Sequence, residues 1–324
     1  MLAHVTWYVD DPFGAEIDLA FATAPQTLLL LGGAVAVVVV WRLVAARLPS
    51  PELAALAPVA RLAPWIPRLL AVHLGVSLLS LAVSDAYLAP HLSLAAVPGG
   101  WLIALAQGII GVWLITGVAL RPAALAVVTL GPLGLILQGP VPVLERIDLL
   151  GLAVFLILLP PTADRYGARA VTAAQLHLPL LVLRVATGTS LVVLAFSEKL
   201  LKPDLARELL ADRALDPLQA LGLTTDPDLF IRVASATELL LGLVLISGAA
   251  PQVVVLVAAV PFNLTLIFFD RFELIGHLPV YGAILALLAY GSDPDLTRVT
   301  SRFRRPPDEV DGSRPAPATA SRSG

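Results

Sequence analysis

The chain contains no cysteine, a single methionine and only two lysines among its 324 residues. Without cysteine it cannot form a disulfide, a thiol relay or a thiolate metal site on its own. Charged residues make up 14% of the chain, against about 25% in a soluble domain, and 58% of the residues are hydrophobic. With a mean hydropathy of +0.87, this composition predicts an integral membrane protein in contact with a lipid bilayer, and nothing in it suggests nucleic-acid binding.

Long apolar runs predict the membrane-spanning helices. A spanning helix needs about 20 mostly apolar residues, and nine runs approach that length, the fifth being the shortest. We therefore predict an all-α polytopic helix bundle with about nine transmembrane helices. The predicted spans are residues 26–46, 68–88, 99–119, 122–139, 146–160, 178–200, 230–248, 251–269 and 274–290.

The basic residues predict the orientation of these spans. If the segment after the first span is cytoplasmic, 14 of the 21 lysines and arginines fall on that side of the membrane. Basic residues are enriched in cytoplasmic loops. We therefore expect a multi-pass protein of the bacterial cytoplasmic (inner) membrane, with its N-terminus outside and its C-terminus in the cytoplasm. The 201–229 loop is predicted to form short amphipathic helices.

An internal repeat organises the predicted spans. Residues 70–90 align without gaps on residues 183–203, an offset of 113, and a second offset of 131 holds further along the chain. The repeat predicts two parallel four-helix units preceded by one extra helix. The predicted domains are residues 1–50 (an extracytoplasmic segment and the first span), 68–160 (a degenerate first repeat), 178–290 (the second repeat) and 291–324 (a disordered cytoplasmic tail).

Polar residues within the second repeat are the candidate site. Ionisable groups inside a membrane are costly and by default suggest function. Four helices of the second repeat carry such groups in the half that the predicted orientation places outside, so we expect them to converge. The candidates are Glu198, Lys199, Glu238, Asn263 and His277.

Two alternatives remain open for these residues. Lys199 and Lys202 could snorkel, with their stems in lipid and their ammonium groups at the interface. The acids and Asn263 could serve only as interhelical hydrogen bonds. The counterparts of Glu238 and His277 in the first repeat are Gln107 and Arg146, so we expect the second repeat to hold the functional site and the first to be mainly structural support.

The histidines outside the second repeat are given lesser roles. His4, His91 and His177 fall in segments that the sequence predicts to be exposed. No spacing of His, Asp and Glu resembles a metal or haem site, so no metal site is predicted.

The second repeat resembles the DoxX family of four-helix membrane proteins. The features that carry the resemblance are Arg184 and Gly188 in "LRVATG", the segment "SEKLLKP", the helix "ATELLLGLVLISG" and "GHLPVYGA". The resemblance implies a four-helix bundle associated with a membrane redox complex, and it adds Arg184 to the candidate binding residues. Some relatives belong to a thiosulfate:quinone oxidoreductase, and others look like assembly factors.

The leading functional hypothesis is a DoxX-like subunit that acts on, or next to, a membrane quinone. In that hypothesis His277 hydrogen-bonds a quinone oxygen and Glu238 relays protons, while Glu198 and Lys199 lie at the outer mouth. A partner redox subunit would supply the electrons, and no covalent cofactor is predicted. The alternatives are a non-enzymatic scaffold that binds a client membrane protein, and a small-solute transporter with a site between the two repeats.

Overall fold

The computed structural model describes residues 4–9, 14–161, 164–212, 226–269 and 271–300, and within these ranges the chain is almost entirely helical. Two 3₁₀ helices span Val5–Trp7 and Ala54–Trp65, and a π-helical turn spans Phe196–Leu200. The α-helices are α1 Leu19–Thr23, α2 Pro25–Ala45, α3 Ile66–Val83, α4 Gly100–Thr116, α5 Leu120–Gln138, α6 Pro140–Glu145, α7 Ile147–Leu158, α8 Ala173–Ala195, α9 Pro203–Asp212, α10 Pro227–Ser247, α11 Pro251–Phe268, α12 Arg271–Gly291 and α13 Thr297–Thr300.

Six helical segments of the described chain are long and apolar enough to cross a membrane. They are Pro25–Ala45, Ala54–Val83, Leu120–Gln138, Ala173–Leu200, Pro227–Ser247 and Glu273–Gly291. Three shorter apolar helices, α4, α7 and α11, occupy the other predicted spans. The length and apolar composition of these helices confirm the prediction of a helical membrane protein. We call α3–α7 the first half of the bundle and α8–α12 the second half.

Two predicted boundaries are wrong. The second predicted span ends earlier, because Asp85 and Leu88 have left-handed backbones, with φ of 50° and 58°, and a short antiparallel pair of strands follows (β1 Ala86–Tyr87, β2 Ala89–Ser93). The tail is also not disordered from residue 291. Helix α13 packs against α8, and Thr297 and Thr300 are buried. Residues 301–324 lie outside the described residues.

Glycines bring two helix pairs into close contact, one pair in each half. A Cβ added to Gly188 on α8 would lie 2.5 Å from the backbone oxygen of Gly242 on α10. A Cβ added to Gly75 on α3 would lie 2.6 Å from the backbone oxygen of Gly111 on α4. Small residues allow helix backbones to approach closely in membranes, where van der Waals packing drives association. Close packing of α8 on α10 and of α3 on α4 therefore depends on these glycines.

Gly188→Ala is expected to destabilise the protein by about 1–3 kcal/mol. The new methyl group would overlap a backbone oxygen, which cannot move aside as a flexible side chain can. Gly32→Ala on α2 is the matched control, since a Cβ there meets nothing within 4 Å. That change should be neutral or slightly stabilising, because alanine favours a helix over glycine. Thermal unfolding of both variants in detergent measures the difference, and equal midpoints would contradict the close α8–α10 contact.

The two halves pack against each other through reciprocal helix pairs. The last helix of the first half, α7, lies along α8, and the last helix of the second half, α12, lies along α3. Gly151 on α7 faces Ala186 on α8, and Gly282 on α12 faces His73 on α3. The pair Gly151 and Gly282 is 131 residues apart, and the pair His73 and Ala186 is 113 residues apart. The inter-half contacts therefore join positions that the sequence repeat aligns.

The N-terminal segment and α9 form a small apolar core of their own at one end of the bundle. Buried residues from six parts of the chain meet there. They are Val5, Phe21, Leu200, Leu205, Ala206, Leu209, Ile231 and Phe269. Helix α9 fits the predicted amphipathic helix of the 201–229 loop, while residues 213–225 lie outside the described residues. This core holds residues 4–9 across the end of the second half, next to the polar groups described below.

Candidate functional site

A π-helical turn at the end of α8 turns two consecutive charged side chains into the protein. The Leu201 amide donates to the Phe196 carbonyl over 2.8 Å, so the helix widens by one residue at this point. Glu198 and Lys199 lie within the turn and are 0% and 2% exposed. π-turns of this kind are frequent at functional sites. The structure therefore does not place Lys199 as a snorkelling residue.

Lys199 forms a buried ion pair with Glu238 of α10. The Lys199 Nζ atom lies 2.8 Å from Glu238 Oε1 and 3.0 Å from Glu238 Oε2. Glu238 is 2% exposed. Glu198 and Glu273 also lie within electrostatic range of Lys199. One ammonium group is thus shared among three carboxyl groups.

The N-terminal segment covers Glu198. The Val5 amide donates to Glu198 Oε2 over 2.8 Å, and the Thr6 hydroxyl donates to Glu198 Oε1 over 2.6 Å. The His4 Nδ1 atom lies 4.0 Å from Glu198 Oε1. His4 is itself buried and stacks on Trp7, with ring centroids 3.9 Å apart. Residues that the sequence predicts to be exposed therefore complete the surroundings of Glu198.

His277 lies on α12, next to this segment. Its Nε2 atom is 3.3 Å from Glu273 Oε1, one helical turn earlier. Its ring lies 5.7 Å from that of His4 and meets Phe262 edge-on at 4.8 Å. The structure thus places Glu238 and His277 in one buried region, linked through Lys199 and Glu273.

The first half contributes three more buried charged groups, all at the junction of α6 and α7. The Glu145 carboxyl accepts from the Ser197 hydroxyl over 2.6 Å. The Arg146 guanidinium donates to the Gly276 carbonyl over 3.2 Å, and it lies 3.9 Å from Asp148. We call the full set the buried ionic cluster. Its members, each at most 5% exposed, are His4, Glu145, Arg146, Asp148, Glu198, Lys199, Glu238, Glu273 and His277.

Groups of this region that lie outside the spanning helices have displaced pKa values. Burial, with a smaller effect of the neighbouring Glu198 charge, raises the pKa of Glu145 to about 7. Burial, followed by the charge of Arg146, lowers the pKa of His91 to about 4. Burial, together with Arg146, also lowers the pKa of His4 well below its ordinary value. Low dielectric surroundings disfavour the charged form of each group, which explains all three directions.

In the first half, an amide takes the place of the Lys199–Glu238 ion pair. Gln107, aligned with Glu238, donates to the carbonyls of Leu78 and Ala86 over 3.3 and 3.1 Å. Ala86 is aligned with Lys199. The same two aligned positions are therefore joined in both halves, by the Gln107 amide in the first and by the Lys199–Glu238 ion pair in the second. Asp85, aligned with Glu198, is exposed. The amide therefore makes the structural connection of the first half without any charge.

Two predicted site residues are not brought to the cluster. The Asn263 side chain is exposed and donates to the Ala259 carbonyl of its own helix over 2.7 Å. Arg184 is buried, and its guanidinium donates to the Thr300 carbonyl. Arg184 lies fourteen residues before Glu198, which corresponds to about 21 Å along a helix. Arg184 therefore fastens helix α13 to the middle of α8. The prediction that the polar groups of the four helices converge is wrong for Asn263.

Sequence reasoning missed five members of the cluster: His4, Glu145, Arg146, Asp148 and Glu273. The expectation that His4 and His177 are exposed is wrong, since they are 4% and 9% exposed. One signal was present in "ERID" (Glu145–Asp148), which places three charges in four residues between two apolar runs. The first repeat was expected to be mainly structural support, and the structure adds three of its residues to the cluster: Glu145, Arg146 and Asp148.

The arrangement suits proton binding better than metal binding. Among the described residues, no group of three or more His, Asp or Glu side chains is placed to hold a metal ion. Carboxyl, imidazole and hydroxyl groups at hydrogen-bond distance can pass protons between them. Fold and site together define a helical membrane protein with a buried ionic cluster at one end of its bundle. Comparisons with protein-family models, curated proteins and solved structures find no match to this chain.

Proposed function

We propose that this chain is a DoxX-like integral membrane subunit of a redox complex, whose buried ionic cluster takes up and transfers protons beside a membrane quinone. The observation that carries the proposal is a charge imbalance. Among the described residues, the five carboxyl groups of the cluster share two buried permanent cations, Arg146 and Lys199, and Glu145 also faces the partly exposed Lys202. Each unpaired ion costs several kcal/mol to bury, so the cluster lowers its charge by binding protons.

A quinone bound next to the cluster would take up these protons when it is reduced. Reduction of a quinone adds protons to its two oxygens, and the imidazole of His277 is suited to donate to one of them. Glu238 and Lys199, in contact over 2.8 Å, would return the proton that His277 gives up. A partner subunit would supply the electrons. The DoxX resemblance rests on the sequence motifs alone.

We also propose that the bundle consists of two parallel repeats with nine spans in the bacterial cytoplasmic membrane, the N-terminus outside. The reciprocal contacts of α7 with α8 and of α12 with α3 support the repeat, because they join aligned positions. The paired glycine contacts within each half support it as well. The surplus of basic residues on one face supports the orientation. Reporter fusions at residue 291 and within α9 would test it, and a cytoplasmic signal from α9 would overturn it.

The proposed function predicts that charge in the cluster matters for activity more than for folding. A tagged chain would be extracted in mild detergent, and the co-purifying complex assayed for quinone reduction. Glu238→Gln is expected to lower turnover at least tenfold at a similar folded yield, because the amide keeps a hydrogen bond to Lys199 and removes the proton carrier. Asp85→Asn, which changes the exposed counterpart of Glu198, should leave turnover unchanged. Equal losses in both variants would contradict the proposal.

A second candidate, a non-enzymatic scaffold for a client membrane protein, is favoured by one observation. Lys199 and Glu238 pair directly, and Glu198 is satisfied by Val5 and Thr6, so these groups also stabilise the fold. The same purification separates the two candidates. A client protein without redox activity, together with losses that follow the folded yield, would favour the scaffold.

A further inference from the structure

A cavity of about 230 Å³ lies beside the buried ionic cluster. It is bounded by the N-terminal segment, β2, α6 and the end of α8. Ile17 and Val141 on its wall are exposed, so the cavity opens to the protein surface. Its polar lining consists of Thr6, His91, Gln138, Glu145, Ser197 and Lys202.

Glu145 stands between this cavity and the cluster. Its carboxyl group lines the cavity, yet the residue is only 5% exposed. It accepts from Ser197, which precedes Glu198 in the π-turn, over 2.6 Å. Thr6 connects the same two places, since its side chain lines the cavity and donates to Glu198. The hydroxyl group of Thr6 therefore connects a cavity that opens to the surface with the fully buried Glu198 carboxyl group.

We propose that this cavity is the proton-entry site of the cluster, and that Glu145 is the group that receives the proton. A hydronium ion in the cavity gives up a proton, the Glu145 carboxylate becomes a carboxyl group, and it returns to carboxylate when the proton passes to Glu198. The inference rests on the proposed function, because it requires a cluster that exchanges protons. It adds the route, which lies in the first half.

The charges that face Glu145 suit this role. Glu198 approaches from the π-turn, Lys202 from the segment before α9, and Arg146 follows Glu145 in the chain. His91 of β2 lies on the cavity wall. Because burial raises its pKa to about 7, Glu145 is protonated below neutral pH and ionised above it. A carboxyl group with such a pKa can both accept and release a proton near neutrality.

Infrared spectroscopy of the purified full-length chain tests the route. Protonated carboxyl groups give a separate C=O stretching band, which shifts when the proton is exchanged for deuterium. In the wild-type chain, part of this band should disappear as the pH rises through about 7. Glu145→Gln should remove that part and slow deuteration of the remaining carboxyl groups at least tenfold. The amide preserves the size of the side chain and its hydrogen bond to Ser197.

A second variant tests the cavity without changing any titratable group. The chain has no cysteine, so Val141→Cys introduces its only thiol. Attaching N-ethylmaleimide to that thiol should slow deuteration as well, whereas the same label at Val83→Cys, outside the cavity, should not. Fast deuteration in both Glu145→Gln and labelled Val141→Cys would overturn the entry site. Absence of any exchangeable carboxyl band in the wild type would instead overturn the proposed function.

Discussion

Lys199→Met is expected to lower the free energy of unfolding by about 3–5 kcal/mol, the cost of leaving a buried partner charge uncompensated. Lys199 is 2% exposed, and its ammonium group lies 2.8 Å from Glu238. Methionine fills a similar volume, so the loss reflects charge rather than a cavity. Chemical unfolding in detergent, followed by circular dichroism, gives the measurement.

The double variant Lys199→Met/Glu238→Gln identifies the cause of that loss. Replacing both members of a buried pair is often nearly neutral, because neither desolvated charge remains. We therefore expect the double variant to recover part of the stability that Lys199→Met loses, since Glu198 and Glu273 remain without the ammonium group. Gln107 supports this expectation, since a glutamine already serves at the aligned position of the first half. A double variant as unstable as the single one would show that the ion pair is not the source of the effect.

Lys202→Met is the matched control, because it is the only other lysine of the chain and is partly exposed. Ion pairs of exposed groups are worth about 0–1 kcal/mol, so this change should cost little. Snorkelling of both lysines would predict similar small effects at both positions. A loss at Lys202 equal to the loss at Lys199 would contradict the buried pair.

The helices could be predicted from the sequence because their signal is local. An apolar run must pair its own backbone groups in lipid, and helices satisfy that requirement within one segment. Every predicted span falls on a helix, even the short fifth one at α7. The close contact at Gly188 and Gly242 was also predictable, since a missing side chain permits close approach in any such bundle. The strand pair after α3 could not be predicted. It depends on left-handed backbones at Asp85 and Leu88, and neither residue type indicates that conformation in the sequence.

The candidate site could be predicted only in part, because direction and partners are not local. Helical spacing indicates depth, so Glu198, Lys199, Glu238 and His277 were found. It does not indicate which way a side chain points, and Asn263 turns away from the cluster to bond its own helix. The π-turn changes the direction of Lys199 in a way that a regular helical period misses.

The N-terminal segment was the least predictable part of the site. It is too short to form a long apolar run, and acids follow it at Asp10 and Asp11, which favours an exposed segment in any reading by composition. The structure instead buries His4, Val5 and Thr6 against charges that lie about 190 residues later in the chain, at Glu198. Such a contact depends on the finished bundle, because Val5 and Thr6 can donate to Glu198 only when the helices that surround the segment are in place.

Trp7→Ala is expected to lower the free energy of unfolding by about 3 kcal/mol or more, because truncating a packed aromatic side chain leaves a cavity. The Trp7 ring fills the space at Gly276, where an added Cβ would lie 1.9 Å from it. It also stacks on His4 at 3.9 Å and lies 5.5 Å from the Arg146 guanidinium. The single ring thus joins the N-terminal segment to both halves of the bundle.

Loss of this ring should also open the cluster to reagents. His277 is 1% exposed, and the N-terminal segment lies beside its ring. Modification of His277 by diethyl pyrocarbonate, followed by mass spectrometry, should therefore be at least tenfold faster in Trp7→Ala than in the wild type. Trp101→Ala is the matched control, because that tryptophan is 67% exposed on α4, and it should change neither stability nor labelling. If the two tryptophan variants behave alike, residues 4–9 do not close the end of the bundle, and Glu198 must find its hydrogen-bond donors elsewhere.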